Sequence, residues 1–386
     1  IAPLESLSSK ISEVLQDGDG NKQWLLWLGL KLYGATGNAY LQRVLKQSEK
    51  VDDFAERLTM MLLEIPRDDD AFAAMYACRK RILDSLPKNL SLISHYCQRT
   101  GKYQKDAVYY LTDSTEDEEH EFLRCLSSYD YSETELLQIT KFSFPQVYKY
   151  LVPFSFSQAN MPLPASDTTL RTEITKYFQD YKQQKLTNQI WPDFMKQVVR
   201  YAEERPYNKP PARSTLAARM DRKGAQLFFF DALGVEYLSY ILEKCEEYGL
   251  IAEILIGVCQ LPSITCENKD FISFFGNNFK KIDDLDELKH HSQIFDYQQC
   301  KEPIHLFREL EIIDKQLQQI RKGLIQDSFN KAVIISDHGA SRLAVISNHQ
   351  SKSNIHLDEK GEHSGRCCPT SSDPGIPFAA YTPNGY

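Results

Sequence analysis

Two apolar runs of strand character end abruptly in carboxylates: Phe228-Phe229-Phe230-Asp231-Ala232-Leu233 and Val333-Ile334-Ile335-Ser336-Asp337-His338-Gly339. The second adds an imidazole and then a glycine. Acids and histidines delivered at the C-terminal ends of buried strands sit where open α/β sheets place their ligands. Asp and His are also the side chains a catalytic metal ion takes. The pairing points to metal-dependent hydrolysis. Each position also has a plain structural alternative: Asp231 could cap a helix on a strand-to-helix turn, and Ser263 and Thr265 could be turn residues.

Asp231-Ala-Leu, then Leu261-Pro262-Ser263-Ile264-Thr265-Cys266-Glu267-Asn268, then Ser336-Asp337-His338-Gly339 follow one another in the chain. In this order they resemble the motifs of the alkaline phosphatase superfamily, and most of all its PglZ-type members, a domain associated with bacterial phage-defence systems of the BREX kind and with some response regulators. The resemblance covers residues 224–386. It implies two divalent metal ions, Zn²⁺ or Mn²⁺ ahead of Mg²⁺ because imidazoles are among the ligands. Asp231, Asp337 and His338 would hold one ion, with Thr265 as nucleophile and Asn268 on a phosphate oxygen. A threonine hydroxyl needs such activation, since it is a weak nucleophile at its own pKa; Ser263 is a rival one step away. The match to the second ion is looser. Glu302 and His305 stand before the helical segment 306–317, and His363 is the late candidate, with Arg366 as a phosphate contact. The activity implied is hydrolysis of a nucleotide or nucleic-acid phosphoester within a defence assembly with other proteins. The other reading is an interaction subunit whose phosphatase-like domain has lost its chemistry.

The elements that must position these residues alternate after Gly224. Strands are expected at Gln226–Phe230, Ile251–Val258, Ala332–Ser336 and Arg342–Ser347. Helices are expected at Val235–Tyr248 and Pro303–Leu324. Alternation of this kind implies an α/β domain with a mainly parallel sheet and helices on both faces. Residues 1–160 read instead as an all-helical domain, with Phe54, Leu58, Met61 and Leu62 recurring at helical spacing. Thr115-Glu116-Asp117-Glu118 and Ser132-Glu133-Thr134-Glu135 are capping boxes opening two helices, and the acids from Glu116 to Glu121 are expected in a solvated first turn. Prolines 153, 162 and 164 mark a boundary. The segment 161–223 then reads as a basic, aromatic helical linker, with twelve Lys and Arg against six acids between 171 and 223. That composition serves single-stranded nucleic acid binding or, as the favoured reading, an amphipathic helical pair with its aromatics in the core.

The 386 residues are enough for two domains with cores of their own. The composition, 42% hydrophobic and 25% charged, is that of a soluble globular protein. A net charge of −8 argues against coating of duplex DNA as the main task. Nine cysteines without a framework fit a reducing cytoplasm. The start at Ile1 and the end at Tyr386 lead to the expectation of a fragment of a longer chain.

Overall fold

The computed structural model describes residues 11, 19–34, 37–84, 91–156, 168–290 and 305–339. The chain divides into two compact units, residues 1–148 and 149–386. The helices at 168–204 therefore belong with the sheet and form no separate linker.

In the first unit, helices Gly20–Tyr33, Ala39–Gln47, Val51–Met60, Phe72–Leu83, Ser91–Thr100, Glu116–Ser128 and Glu133–Ser143 follow one another, with no strand among the described residues. Both expected helix starts are capped. Thr115 accepts from the Glu118 amide, and Ser132 and Glu135 form a reciprocal capping box. The core collects Tyr40, Leu41, Val44, Leu58, Met61, Leu62, Phe122, Leu123 and Ile139. Its buried tyrosines keep their hydroxyls satisfied: Tyr40 donates to the Leu58 carbonyl at 2.9 Å, Tyr76 to Leu111 at 2.6 Å and Tyr96 to Tyr110 at 2.7 Å. The acidic first turn differs from expectation. Glu118, Glu119 and Glu121 are buried, and Glu118 meets the buried Arg79 guanidinium at 2.8 Å. Thr112 donates to the other Glu118 oxygen at 2.5 Å. An internal cation turns what sequence presents as a solvated acidic patch into a buried pair.

The second unit is built on a three-stranded parallel sheet in the order β2-β1-β3, where β1 is Ala225–Phe230, β2 Phe279–Ile282 and β3 Lys331–Ser336. The unit is mixed α/β. Central β1 is buried along nearly its whole length, as strands covered on both faces are. Leu227 and Phe229 face Val333, Ile335, Ala217, Phe271 and Phe275, while Phe228 meets Phe329 edge-on at 5.6 Å. Helix His305–Ile325 buries Leu306, Leu310, Ile313, Leu317 and Ile320, one stripe at three- and four-residue spacing, and packs on helix Leu238–Glu247.

Two strand expectations change. Ile251–Val258 is not a strand of the sheet; its first residues are exposed, Ile256 is buried in a cluster with Phe154 and Phe156, and Val258 forms a bridge to Ala212. Both edges of β1 are already taken, by β2 and β3. Phe279-Lys280-Lys281-Ile282, which carries no strong strand signal, supplies the edge strand instead, with its first three residues exposed. Arg342–Ser347 lies outside the described residues.

Aromatic residues of 171–223 and two of its lysines serve the core, while Lys176 and Lys196 are exposed. Tyr177 stacks on Phe194 at 4.8 Å, and Phe178 on Phe156 at 5.5 Å. Lys185 is buried and meets Glu309 at 2.7 Å, and Lys182 donates to the Val152 carbonyl at 2.8 Å. Among the described residues no helix is long and apolar enough to cross a membrane.

Candidate metal centre

The register brings the motif residues together. Phe230 pairs with Ile282 on one side and with Ser336 on the other, so β1 and β3 end level. The next residues, Asp231 and Asp337, emerge side by side at the C-terminal edge of the sheet. Glycines permit the close approach of the two loops: a Cβ on Gly339 would stand 3.3 Å from the Gly234 Cα. Ala232 adopts a left-handed φ of 63°, a conformation that costs an L-residue about 1 kcal/mol. It holds this conformation while its amide donates to Asp337 Oδ1 at 3.1 Å. The His338 amide donates to the same oxygen at 2.8 Å. Leu233 donates to Ser336 Oγ at 3.0 Å, tying the loops a second time.

Asp337 is wholly buried, and its second oxygen, Oδ2, has no hydrogen-bond partner. A buried carboxylate oxygen without a donor costs several kcal/mol, of the order of 1–3 for a neutral group and more for a charged one. That oxygen faces His338 Nε2 at 3.4 Å. Asp231 Oδ1 lies 3.7 Å from the same nitrogen. Thr265 Oγ1 stands 3.4 Å from His338 Nε2 and 3.5 Å from Asp231 Oδ1. These separations exceed those of good hydrogen bonds. They match the edge of a tetrahedron of ligands around Zn²⁺, about 3.3 Å for ligand bonds of ~2.0–2.1 Å. Asp231, Asp337 and His338 present ligand atoms that all lie within 4.8 Å of one another. Two carboxylates, an imidazole and a hydroxyl around one point, with an orphaned buried oxygen aimed at it, fit a divalent cation.

Electrostatics agrees with the geometry. Burial first, and then the charges of Asp337 and Asp286, push the Asp231 carboxyl up to about 6 against the opposing effect of Lys281. A second carboxylate held beside it away from water raises the cost of ionising Asp231. A cation among them removes that cost.

Thr265 begins a short 3₁₀ turn, Thr265–Glu267, at the end of the loop that follows the Ala212–Val258 bridge. It is the hydroxyl that meets Asp231 and His338; Ser263 does not. Asn268 is corrected. Expected to hold a phosphate oxygen, it is wholly buried and its amide is committed to the loop itself. Nδ2 donates to the carbonyls of Gln260, Pro262 and Ile264 at 3.0–3.1 Å, and Oδ1 accepts from the Gln260 amide at 2.7 Å. Its part is to shape the turn that carries Thr265. His305, the expected second-ion ligand, is buried at the start of its helix and is not among the side chains gathered with Asp231, Asp337 and His338. Glu302, His363 and Arg366 lie outside the described residues.

Two residues at the site escaped sequence reasoning. Arg213, counted in the basic segment, sends its guanidinium to the carbonyls of Ser336 at 3.1 Å and Asn268 at 2.8 Å, and to that of Asp337. One planar fork thus ties the Thr265 turn to the Asp337 loop. Lys281 on β2 meets Asp231 Oδ2 at 3.2 Å and also pairs with Asp283. A lone Lys in a short charged strand offers no motif, and an Arg bonded to backbone carbonyls leaves no spacing signature.

Residues 1–129 match a family model described as a domain of unknown function (DUF7863). That match covers most of the helical unit, ending before the helix Glu133–Ser143, and does not reach the sheet. No curated protein and no solved structure matches the chain.

Proposed function

We propose that the second unit is a metal-dependent phosphoester hydrolase with Asp231, Asp337 and His338 as ligands of a divalent cation and Thr265 as nucleophile. The observation that carries this reading is the position of Thr265 Oγ1, 3.4 Å from His338 Nε2 and 3.5 Å from Asp231 Oδ1, at the C-terminal edge of a parallel sheet. A bound Zn²⁺ or Mn²⁺ would act as a Lewis acid on the threonine hydroxyl and on a substrate oxygen, making the alkoxide accessible near neutral pH.

The chain's own residues supply the rest. The Ala232 and His338 amides fix Asp337 through Oδ1 and leave Oδ2 turned into the site. Arg213 and Asn268 hold the Thr265 turn against the Asp337 loop, so that nucleophile and ligands keep one geometry, the positioning from which such sites draw much of their rate. Thr265 would attack phosphorus, displace the ester oxygen and carry the phosphoryl group until water releases it. The phosphoester class, nucleotide or nucleic acid, and the setting among phage-defence proteins rest on the resemblance of the motifs to PglZ-type domains.

The test is hydrolysis of bis-p-nitrophenyl phosphate and p-nitrophenyl phosphate after metal stripping and re-addition of Zn²⁺ or Mn²⁺, beside Asp337→Ala. Metal-dependent turnover that the variant lacks supports the hydrolase, and the preferred ester separates diesterase from phosphatase. A folded protein that turns over neither ester with either metal returns the reading to an interaction subunit without chemistry.

A further inference from the structure

We infer that the centre takes one divalent cation and that the Lys281 ammonium stands where a second would sit. This inference rests on the proposed function and deepens it, since the motifs alone lead to the expectation of two ions.

The argument starts from how Asp231 divides its oxygens. Oδ1 faces Thr265 and His338, whereas Oδ2 meets Lys281 Nζ at 3.2 Å. A carboxylate bridging two metal ions gives one oxygen to each, and such ions lie about 4 Å apart. Here the outer oxygen already has a cation. That cation also pairs with Asp283, one residue beyond β2, so it contacts two carboxylates as a second ion would. Among the described residues, Lys281 is the only Lys or Arg in an ion pair with a cluster carboxylate; Arg213 spends its guanidinium on backbone carbonyls. The edge strand makes this possible. Lys281 belongs to its exposed part, so the ammonium reaches the site from the solvent side with its side chain 42% exposed. It can therefore turn toward an incoming phosphate oxygen, the task that two-ion centres give their second cation. The orphaned Asp337 Oδ2, turned inward beside His338, marks the place of the one ion.

The experiment titrates chelator-stripped protein calorimetrically with ZnCl₂ alone, and with MnCl₂ followed by electron paramagnetic resonance. Wild type is expected to take one equivalent and to give an isolated Mn²⁺ spectrum. Lys281→Met frees Asp231 Oδ2 and Asp283 and is expected to take two, with a spin-coupled Mn²⁺ pair. Lys281→Arg keeps one, and adding Asp283→Asn to Lys281→Met returns the count to one. Two equivalents in wild type, or one in Lys281→Met, would overturn the inference while leaving the proposed hydrolase standing. No binding by wild type overturns both.

Discussion

Thr265 Oγ1 and His338 Nε2 lie 3.4 Å apart although 73 residues separate them in the chain. Neither strand end could bring this about alone. β1 and β3 set the level of Asp231 and Asp337, and the turn that carries Thr265 is brought to that level by Asn268 from within and Arg213 from outside. The contact is the product of three separate loops.

Asp337→Asn separates a ligand from a structural residue. Asparagine keeps an oxygen for the Ala232 and His338 amides, and it removes the charge that faces Asp231. The metal-free variant should be more stable than wild type at neutral pH by up to about 1 kcal/mol, because a like-charge contact is relieved. Its Zn²⁺ affinity should fall by about 100-fold or more. Thermal unfolding with and without ZnCl₂ reads both effects; loss of stability without loss of affinity would assign Asp337 to structure alone.

The raised Asp231 carboxyl predicts a pH dependence of the metal-free protein. Its folded pKa, about 6, lies above the ordinary value. The folded state therefore binds a proton more tightly than the unfolded one. Stability from this group is fully present below about pH 4 and is lost as pH rises to about 6, by roughly 3 kcal/mol. Asp231→Asn should flatten this limb in urea unfolding measured from pH 4 to 7. A limb that persists in the variant would place the titration elsewhere.

Arg213→Lys tests the tie between the loops. Lysine keeps the charge and loses the fork that reaches Asn268 and Ser336 together. Hydrolysis should drop about 10- to 100-fold in kcat with KM little changed, as a small misplacement of the nucleophile does, while the Zn²⁺ stoichiometry stays that of wild type. Full kcat in Arg213→Lys would show that the turn holds its place by Asn268 alone.

In the helical unit, Glu118→Gln leaves the buried Arg79 guanidinium without its counter-charge. Breaking one partner of a buried pair costs about 3–5 kcal/mol, so urea unfolding of this unit should shift by that amount. Arg79→Met with Glu118→Leu should recover much of the loss. A shift under 1 kcal/mol for Glu118→Gln would show that solvent reaches the pair.

How far the sequence speaks depends on what kind of signal each element carries. Two of the three strands of the sheet are legible because Phe228–Phe230 and Val333–Ile335 are unbroken apolar runs, although only β1 is buried along nearly its whole length and β3 alternates buried with half-buried positions. The two carboxylates that end them, with His338 after the second, are the three cluster residues, and the position of Thr265 came from the motif order. β2 stayed hidden because an edge strand need not be apolar, and Ile251–Val258 misled because an apolar run of that length does not distinguish a ladder strand from an irregular segment that buries Ile256. Asn268 and Arg213 show a different limit. Both act through backbone carbonyls, and a carbonyl has no side-chain identity that spacing could reveal.

The most direct test of the whole account is the rate of phosphodiester hydrolysis by Thr265→Ala at saturating Zn²⁺, with Ser263→Ala added to remove the neighbouring hydroxyl. The account predicts a loss of about 10³-fold or more in a protein that still binds its cation, and a phosphoryl group found on the Thr265 peptide of wild type after acid quench. Activity within a few-fold of wild type, or a phosphoryl group carried elsewhere, would contradict it.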